Sequence, residues 1–102
     1  MKLAVLGDGG WGTALAMVSA RNGHEVTVWG PFADQVHSIR SAGENVHFLP
    51  GVKVPASIGW TSDMKEAVTG ADGVVLVVPS RFYRSTVEQL KACLMEDQRV
   101  VS

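Results

Sequence analysis

Leu3-Ala4-Val5-Leu6-Gly7-Asp8-Gly9-Gly10-Trp11-Gly12-Thr13-Ala14-Leu15-Ala16-Met17 is the stretch that decides the fold. Its first four residues form an unbroken apolar run, the pattern of a strand buried on both faces of a parallel sheet. The run leads directly into Gly7-Asp8-Gly9-Gly10-Trp11-Gly12, a G-x-G-x-x-G, and then into Trp11, Ala14, Leu15 and Val18 at helical spacing. Glycine spacing alone carries little weight, because such triplets arise by chance. Here a strand precedes the motif, a helix follows it, and a second β-rich run, Glu25-Val26-Thr27-Val28-Trp29, completes the required context. Gly7 permits the tight turn, Gly9 lets the backbone approach a pyrophosphate, and Gly12 lets the helix pack closely on the strand. A helix opening near Gly10 aims free N–H groups and the positive end of its dipole at the same place. The turn predicts a dinucleotide site. Asp8 brings a negative charge beside the expected phosphates; a side chain turned to solvent, or bonded to the turn backbone, accommodates it. Trp11 suits core packing and a cofactor contact equally.

Beyond this turn, short apolar runs alternate with helix-period segments. Gly23 caps the first helix, and Gly30-Pro31 closes the second strand. A short helix with Val36 and Ile39 inward ends at Gly43. Residues 44–56 contain Pro50, Gly51 and Pro55 and read as an irregular connection, of a length that is more often functional than incidental. Residues 57–60 suggest a short strand, and Ser62 a cap for a helix over 63–69. Residues 74–78, all Val and Leu, form the clearest central strand, stopped by Pro79. Residues 82–95 read as a helix with Val87, Leu90 and Leu94 on one face, and Val100-Val101 opens a fifth strand. This alternation predicts a doubly wound α/β fold of Rossmann type: a parallel sheet in the order 3-2-1-4-5, with helices on both faces, truncated at or near the fifth strand.

Composition narrows the function. The 102 residues correspond to one domain, and 46% hydrophobic content excludes disorder. Nine Lys and Arg against ten Asp and Glu leave a net charge of −1, which gives no electrostatic case for nucleic acid or an anionic membrane. One cysteine, Cys93, excludes an internal disulfide and suits a reducing, cytoplasmic setting. The apolar run after Lys2 is too short for a signal peptide, and no run approaches the ~20 residues of a membrane span.

An NAD site usually places Asp or Glu at the end of the second strand, and an NADP site an Arg nearby. This chain has Gly30-Pro31-Phe32 there, neither acid nor base. Asp34 suits the start of the next helix instead. NAD and NADP both remain open. His24, His37 and His47 are scattered without ligand spacing, so no metal is expected. His24 reads as surface, His47 as a solvated loop residue, Arg81 as solvent-facing and Cys93 as a buried thiol. No nucleophile–base pair is present, and no catalytic residue is assigned.

At this point the residues resemble a known family. GDGGWGTALAM at positions 7–17 is similar to the G-x-G-x-W-G-T-A-L-A fingerprint of NAD(P)-dependent glycerol-3-phosphate dehydrogenases. NGHEVTVWG at 22–30 resembles the family's second strand, and NVHFLPGV at 45–52 its N-x-x-Y/F-L-P-G-V loop. Val78-Pro79-Ser80 resembles the turn that borders the cofactor after the fourth strand. The chain departs from the family pattern at Gly10, often Ser, at Pro31, often basic, and at Phe48, often Tyr. The resemblance implies that Gly7, Gly9, Gly10, Trp11, Gly12, Gly30, Pro31, Phe48, Pro79 and Ser80 bind NAD or NADP. It implies a cytoplasmic enzyme that interconverts dihydroxyacetone phosphate and sn-glycerol 3-phosphate for phospholipid synthesis; the sequence leaves the oligomeric state open, a homodimer being one arrangement. The family's lysines at cofactor and substrate, and its helical substrate domain, would lie beyond Ser102. Residues 1–102 are therefore expected to be an incomplete N-terminal cofactor domain, inactive alone. The alternatives are the cofactor domain of another two-domain dehydrogenase and a non-catalytic nucleotide-binding module.

Overall fold

β1 (Lys2–Leu6) is the middle strand of a five-stranded parallel sheet, between β2 (Glu25–Trp29) and β6 (Gly73–Leu76). The structure is a computed structural model and describes residues 1–45, 49–94 and 98–101. β5 (Gly59–Thr61) extends the sheet beyond β2 and β7 (Arg99–Val101) beyond β6, giving the order β5-β2-β1-β6-β7. Numbered among these five strands alone, that is the expected 3-2-1-4-5.

The strands alternate inward residues between two cores, as period-2 geometry demands. Ala4 and Leu6 of β1 join Trp29, Val74 and Leu76 in one core, with Met64, Ala67 and Val68 of α3 (Met64–Val68) and Leu90 of α4 (Ser80–Cys93). Val5 joins Val26 and Val28 in the other, with Ala16 of α1 (Gly10–Arg21) and Val36 and Ile39 of α2 (Ala33–Ala42). α1 and α2 thus cover one face of the sheet, α3 and α4 the other. Val87 and Leu94 pack partly buried beside Leu90, as their spacing predicts, and Cys93 is half-buried against the same core. No helix among the described residues is long and apolar enough to cross a membrane.

Four local expectations change. Residues 44–56 are not wholly irregular: β3 (Glu44–Asn45) and β4 (Leu49–Lys53) pair antiparallel as a separate two-stranded sheet. Pro50 is tolerated because a two-stranded ribbon has only edge strands, where a missing N–H donor costs no ladder bond. Asp63, not Ser62, caps α3, its Oδ1 accepting from the N–H of Lys65 at 3.0 Å and of Glu66 at 3.3 Å. β6 ends at Leu76, and α4 starts at Ser80, directly after Pro79. α1 turns a different face to the sheet: Gly12, Thr13 and Ala16 are buried, while Trp11 is 75% and Val18 51% exposed. Small side chains bring the helix close to the strands, so Trp11 and Val18 are left outside while Met17 packs only partly buried against the core.

Candidate functional site

The carboxyl ends of β1, β2 and β6 meet at one edge of the sheet, the edge at which open α/β sheets bind ligands. The ladder stays closed to its last residues. Gly7 N–H donates to Trp29 O at 2.8 Å, Val77 N–H to Leu6 O at 2.9 Å, and Gly30 N–H to Thr61 O at 3.0 Å.

Within the turn the glycines divide into two kinds. Gly7 has φ +140°, and a Cβ there would lie 2.7 Å from the Val77 carbonyl oxygen. A Cβ on Gly12 would overlap the Gly7 carbonyl oxygen and lie 3.1 Å from Val77 Cγ2. Both positions are bare because neighbouring backbone fills the space. Gly9 is different. It caps α1 with extended backbone, φ −70° and ψ −176°, and a Cβ there would meet no atom within 4 Å. The first turn of α1 has no side-chain cap among the described residues and no acidic residue, so its leading N–H groups are left uncapped beside the open space at Gly9.

Buried polar contacts fix the turn from behind. Asn45, fully buried, donates through Nδ2 to the Asp8 carbonyl oxygen at 2.6 Å and to Thr13 Oγ1 at 2.9 Å. Gln35 Nε2 donates to Asn45 Oδ1 at 3.3 Å. The asparagine that opens the N-x-x-F-L-P-G stretch is therefore the pin between the β3–β4 ribbon and the glycine turn, a role its residue type alone did not disclose. Asp8 departs from the first expectation for it, since the side chain is not turned to solvent. Its side chain is 9% exposed and leans over Gly30, where a Cβ would overlap Oδ2 and lie 2.6 Å from Cγ. Oδ2 is buried with no hydrogen-bond partner among the described residues. Burial raises the carboxyl pKa above its ordinary value, and a bond from its own backbone N–H opposes the rise.

All the described residues singled out for the cofactor lie at this edge. Gly7, Gly9, Gly10, Trp11 and Gly12 form the β1–α1 turn, Gly30 and Pro31 follow β2, and Pro79 and Ser80 follow β6. Gly7, Gly12 and Gly30 are buried spacers; Trp11, Pro79 and Ser80 are exposed. Phe48 lies outside the described residues, as does His47. His24 is half-buried rather than on the surface, and Arg81 is exposed as expected.

Sequence reading missed an aromatic bridge. Phe32 follows β2 and Phe82 lies in the first turn of α4, yet their rings meet edge to face, 5.9 Å between centroids, with Arg81 4.9 Å over the Phe82 ring. Strands on either side of a central one stand about 9–10 Å apart, so the pair spans the end of β1. Half the chain separates the two residues, and nothing local signals the contact. A cleft of about 610 Å³ lies at the opposite, amino edge beside Lys2, Glu25, Arg40 and Trp60. None of the residues of the glycine turn lines it.

The sheet order and the glycine turn on a helix N-terminus define a Rossmann-type dinucleotide-binding domain. Residues 2–102 match the profile of the family described as NAD-dependent glycerol-3-phosphate dehydrogenase N-terminus, and the chain belongs to that family. It is 48% identical over 88 residues to the glycerol-3-phosphate dehydrogenase [NAD(P)+] of Bacillus subtilis, covering 86% of this chain and 26% of that protein. Among solved structures it is similar to glycerol-3-phosphate dehydrogenase from Coxiella burnetii, at TM-score 0.92 and 32% identity, over 97% of this chain and 30% of that one. The enzyme from Saccharomyces cerevisiae gives TM-score 0.86 at 26% identity, over 98% of this chain and 32% of that one. The chain spans about a quarter to a third of these relatives' length.

Proposed function

We propose that this chain is the cofactor-holding part of an NAD(P)-dependent glycerol-3-phosphate dehydrogenase that interconverts dihydroxyacetone phosphate and sn-glycerol 3-phosphate. One observation carries the reading: Gly9 is bare toward open space, beside unbonded N–H groups, while Gly7 and Gly12 are bare because backbone crowds them. A pyrophosphate needs that pairing of close backbone approach and free donors. In this reading the Gly10 and Trp11 end of α1 holds the phosphates. Gly30 and Pro31 border the adenosine, and Pro79 and Ser80 border the nicotinamide, with Phe48 added by its motif. The bound dinucleotide supplies hydride transfer, and the chain's own groups hold and orient it.

In this reading substrate handling falls to the parts of the relatives that residues 1–102 do not align with. Residues 1–102 are accordingly an incomplete cofactor domain, which binds dinucleotide and turns over nothing alone. A cytoplasmic setting and a homodimer go with the same proposal. Titrating the chain with NADH and with NADPH while following tryptophan fluorescence tests it, since Trp11 stands exposed at the mouth of the site. A saturable change with at least one nucleotide is expected. No saturable change with either would remove the site.

A further inference from the structure

Asp8 is the unexplained group at this edge. Its carbonyl oxygen accepts from Asn45 Nδ2 and Thr13 Oγ1, yet Oδ2 of its side chain is buried with no partner among the described residues. The carboxyl group is shut beneath Gly30, where a Cβ would lie 2.6 Å from Asp8 Cγ and 2.8 Å from Val36 Cγ2. Around it, α1 contributes Thr13, α2 Val36 and β3 Asn45, none of which ionises. The charged residues of those elements face elsewhere. Arg21 is exposed at the far end of α1, and Asp34, His37 and Arg40 of α2 are exposed. Glu44 of β3 accepts from the Gly51 N–H at 3.0 Å. No cation therefore pairs with this acid among the described residues.

A carboxyl group so placed is neutral unless something favours its charge. In the free chain two groups do: its own backbone N–H, and the uncapped positive end of α1 just beyond Gly9. A pyrophosphate would take that helix end for itself and bring two negative charges to the turn. Both changes favour the neutral acid. We propose that Asp8 couples cofactor binding to a proton: as the dinucleotide binds, the carboxylate takes up one H⁺ from water and becomes the neutral acid, so affinity rises as pH falls. The inference rests on the dinucleotide reading above and adds the proton. Burial already raises the carboxyl pKa of the free chain, so the phosphates carry it further in the same direction. The proton comes from solvent, and no ligand atom has to reach Oδ2. The sealed place of an acid inside a phosphate-binding turn is thereby explained, since as the neutral acid it does not repel the phosphates.

The test is isothermal titration calorimetry of the chain with NAD+ and with NADP+, from about pH 5 to 8, in two buffers of different ionisation enthalpy. Wild-type affinity should fall at least threefold over that range, and by no more than tenfold per pH unit for one proton. Binding should take up a measurable fraction of a proton, read as a heat that differs between the buffers. Asp8→Asn and Asp8→Ala leave no charge at position 8. Either, if folded, should lose this proton uptake and bind more tightly than wild type at pH 8. Histidines and a 2′-phosphate titrate alike in all three chains, so the difference between chains isolates Asp8. No pH dependence in wild type, or one that persists unchanged in a folded variant, overturns the role of Asp8 while leaving the dinucleotide site standing. Absence of binding by both nucleotides at every pH overturns the site itself.

Discussion

Alanine at Gly9 and alanine at Gly12 are expected to damage different properties, although the two positions share one turn. At Gly9 the backbone is extended and a methyl group meets no atom within 4 Å. The fold should be unaffected to within about 0.5 kcal/mol, or gain slightly because alanine narrows the unfolded ensemble. The methyl nevertheless projects where the phosphates must lie, so NADH affinity should fall roughly tenfold or more, a loss of at least ~1.4 kcal/mol. At Gly12 the added carbon overlaps the Gly7 carbonyl oxygen and sits 3.0 Å from its carbonyl carbon and 3.1 Å from Val77 Cγ2. The Gly7 backbone cannot give way freely, because its N–H is held by Trp29 O at 2.8 Å. Overpacking against fixed backbone belongs at the upper end of the usual range, about 3 kcal/mol, against about 1 kcal/mol regained from helix propensity. The net loss of about 2 kcal/mol should lower the melting temperature by roughly 10 °C in a domain of this size. Thermal unfolding followed by circular dichroism, with NADH titration of each variant, reads both effects. A Gly9→Ala chain that melts well below wild type, or a Gly12→Ala chain that melts with it, would refute the division of the glycines into open and crowded.

Three further outcomes follow from the same contacts. Asn45→Ala takes the donor from the Thr13 hydroxyl and leaves the Asp8 carbonyl only Thr13 Oγ1 at 3.4 Å, and should cost about 2 kcal/mol in urea unfolding; an unchanged midpoint would mean that the pin carries no load. Asp8→Asn should stabilise the fold at pH 7 by on the order of 1 kcal/mol, because burial raises the folded-state pKa and the fold favours the protonated acid. The wild-type contribution of Asp8 is thus fully present below the ordinary carboxyl pKa and lost as pH rises through the folded-state value. The gain from Asn must therefore shrink between pH 7 and pH 3, and an equal gain at both would contradict the burial argument. Trp11→Ala should leave the melting temperature within a degree or two, since the side chain is 75% exposed, while removing most of the NADH-dependent fluorescence change; a full signal from Trp29 and Trp60 alone would show that Trp11 is not at the site.

The strand order and the glycine turn were legible because their geometry constrains residue type. A strand buried on both faces leaves an apolar run such as residues 3–6, and the crowded turn at Gly7 and Gly12 admits no side chain. The facing of α1 was not legible. Hydrophobic periodicity assigns burial to the larger side chains, whereas this interface is built from Gly12, Thr13 and Ala16, and closeness to the sheet selects against size. The β3–β4 ribbon was hidden by Pro50, which reads as a breaker until the strand is known to be an edge. The choice between Ser62 and Asp63 as a cap depends on one residue of phase, which spacing does not carry. The Phe32–Phe82 contact and the Asn45 pin depend on tertiary placement, so no local pattern could have found them.

Cofactor preference was illegible for a more specific reason. The rule that places an acid at the end of the second strand concerns a point in space beside the ribose, and sequence reading turns it into a position along the chain. In this fold the chain position is closed to that use. Trp29, the last residue of β2, is buried in the α3–α4 core with its indole Nε1 donating to Ser62 O at 3.0 Å. Gly30 has no room for a Cβ beside Val36 Cγ2 at 2.8 Å and the Asp8 carboxylate. A parallel sheet offers a second route, because adjacent strands end side by side and the turn after β1 lies about 5 Å from the end of β2. Neighbours in sheet order, not in chain order, are the residues among which the specificity acid has to be sought.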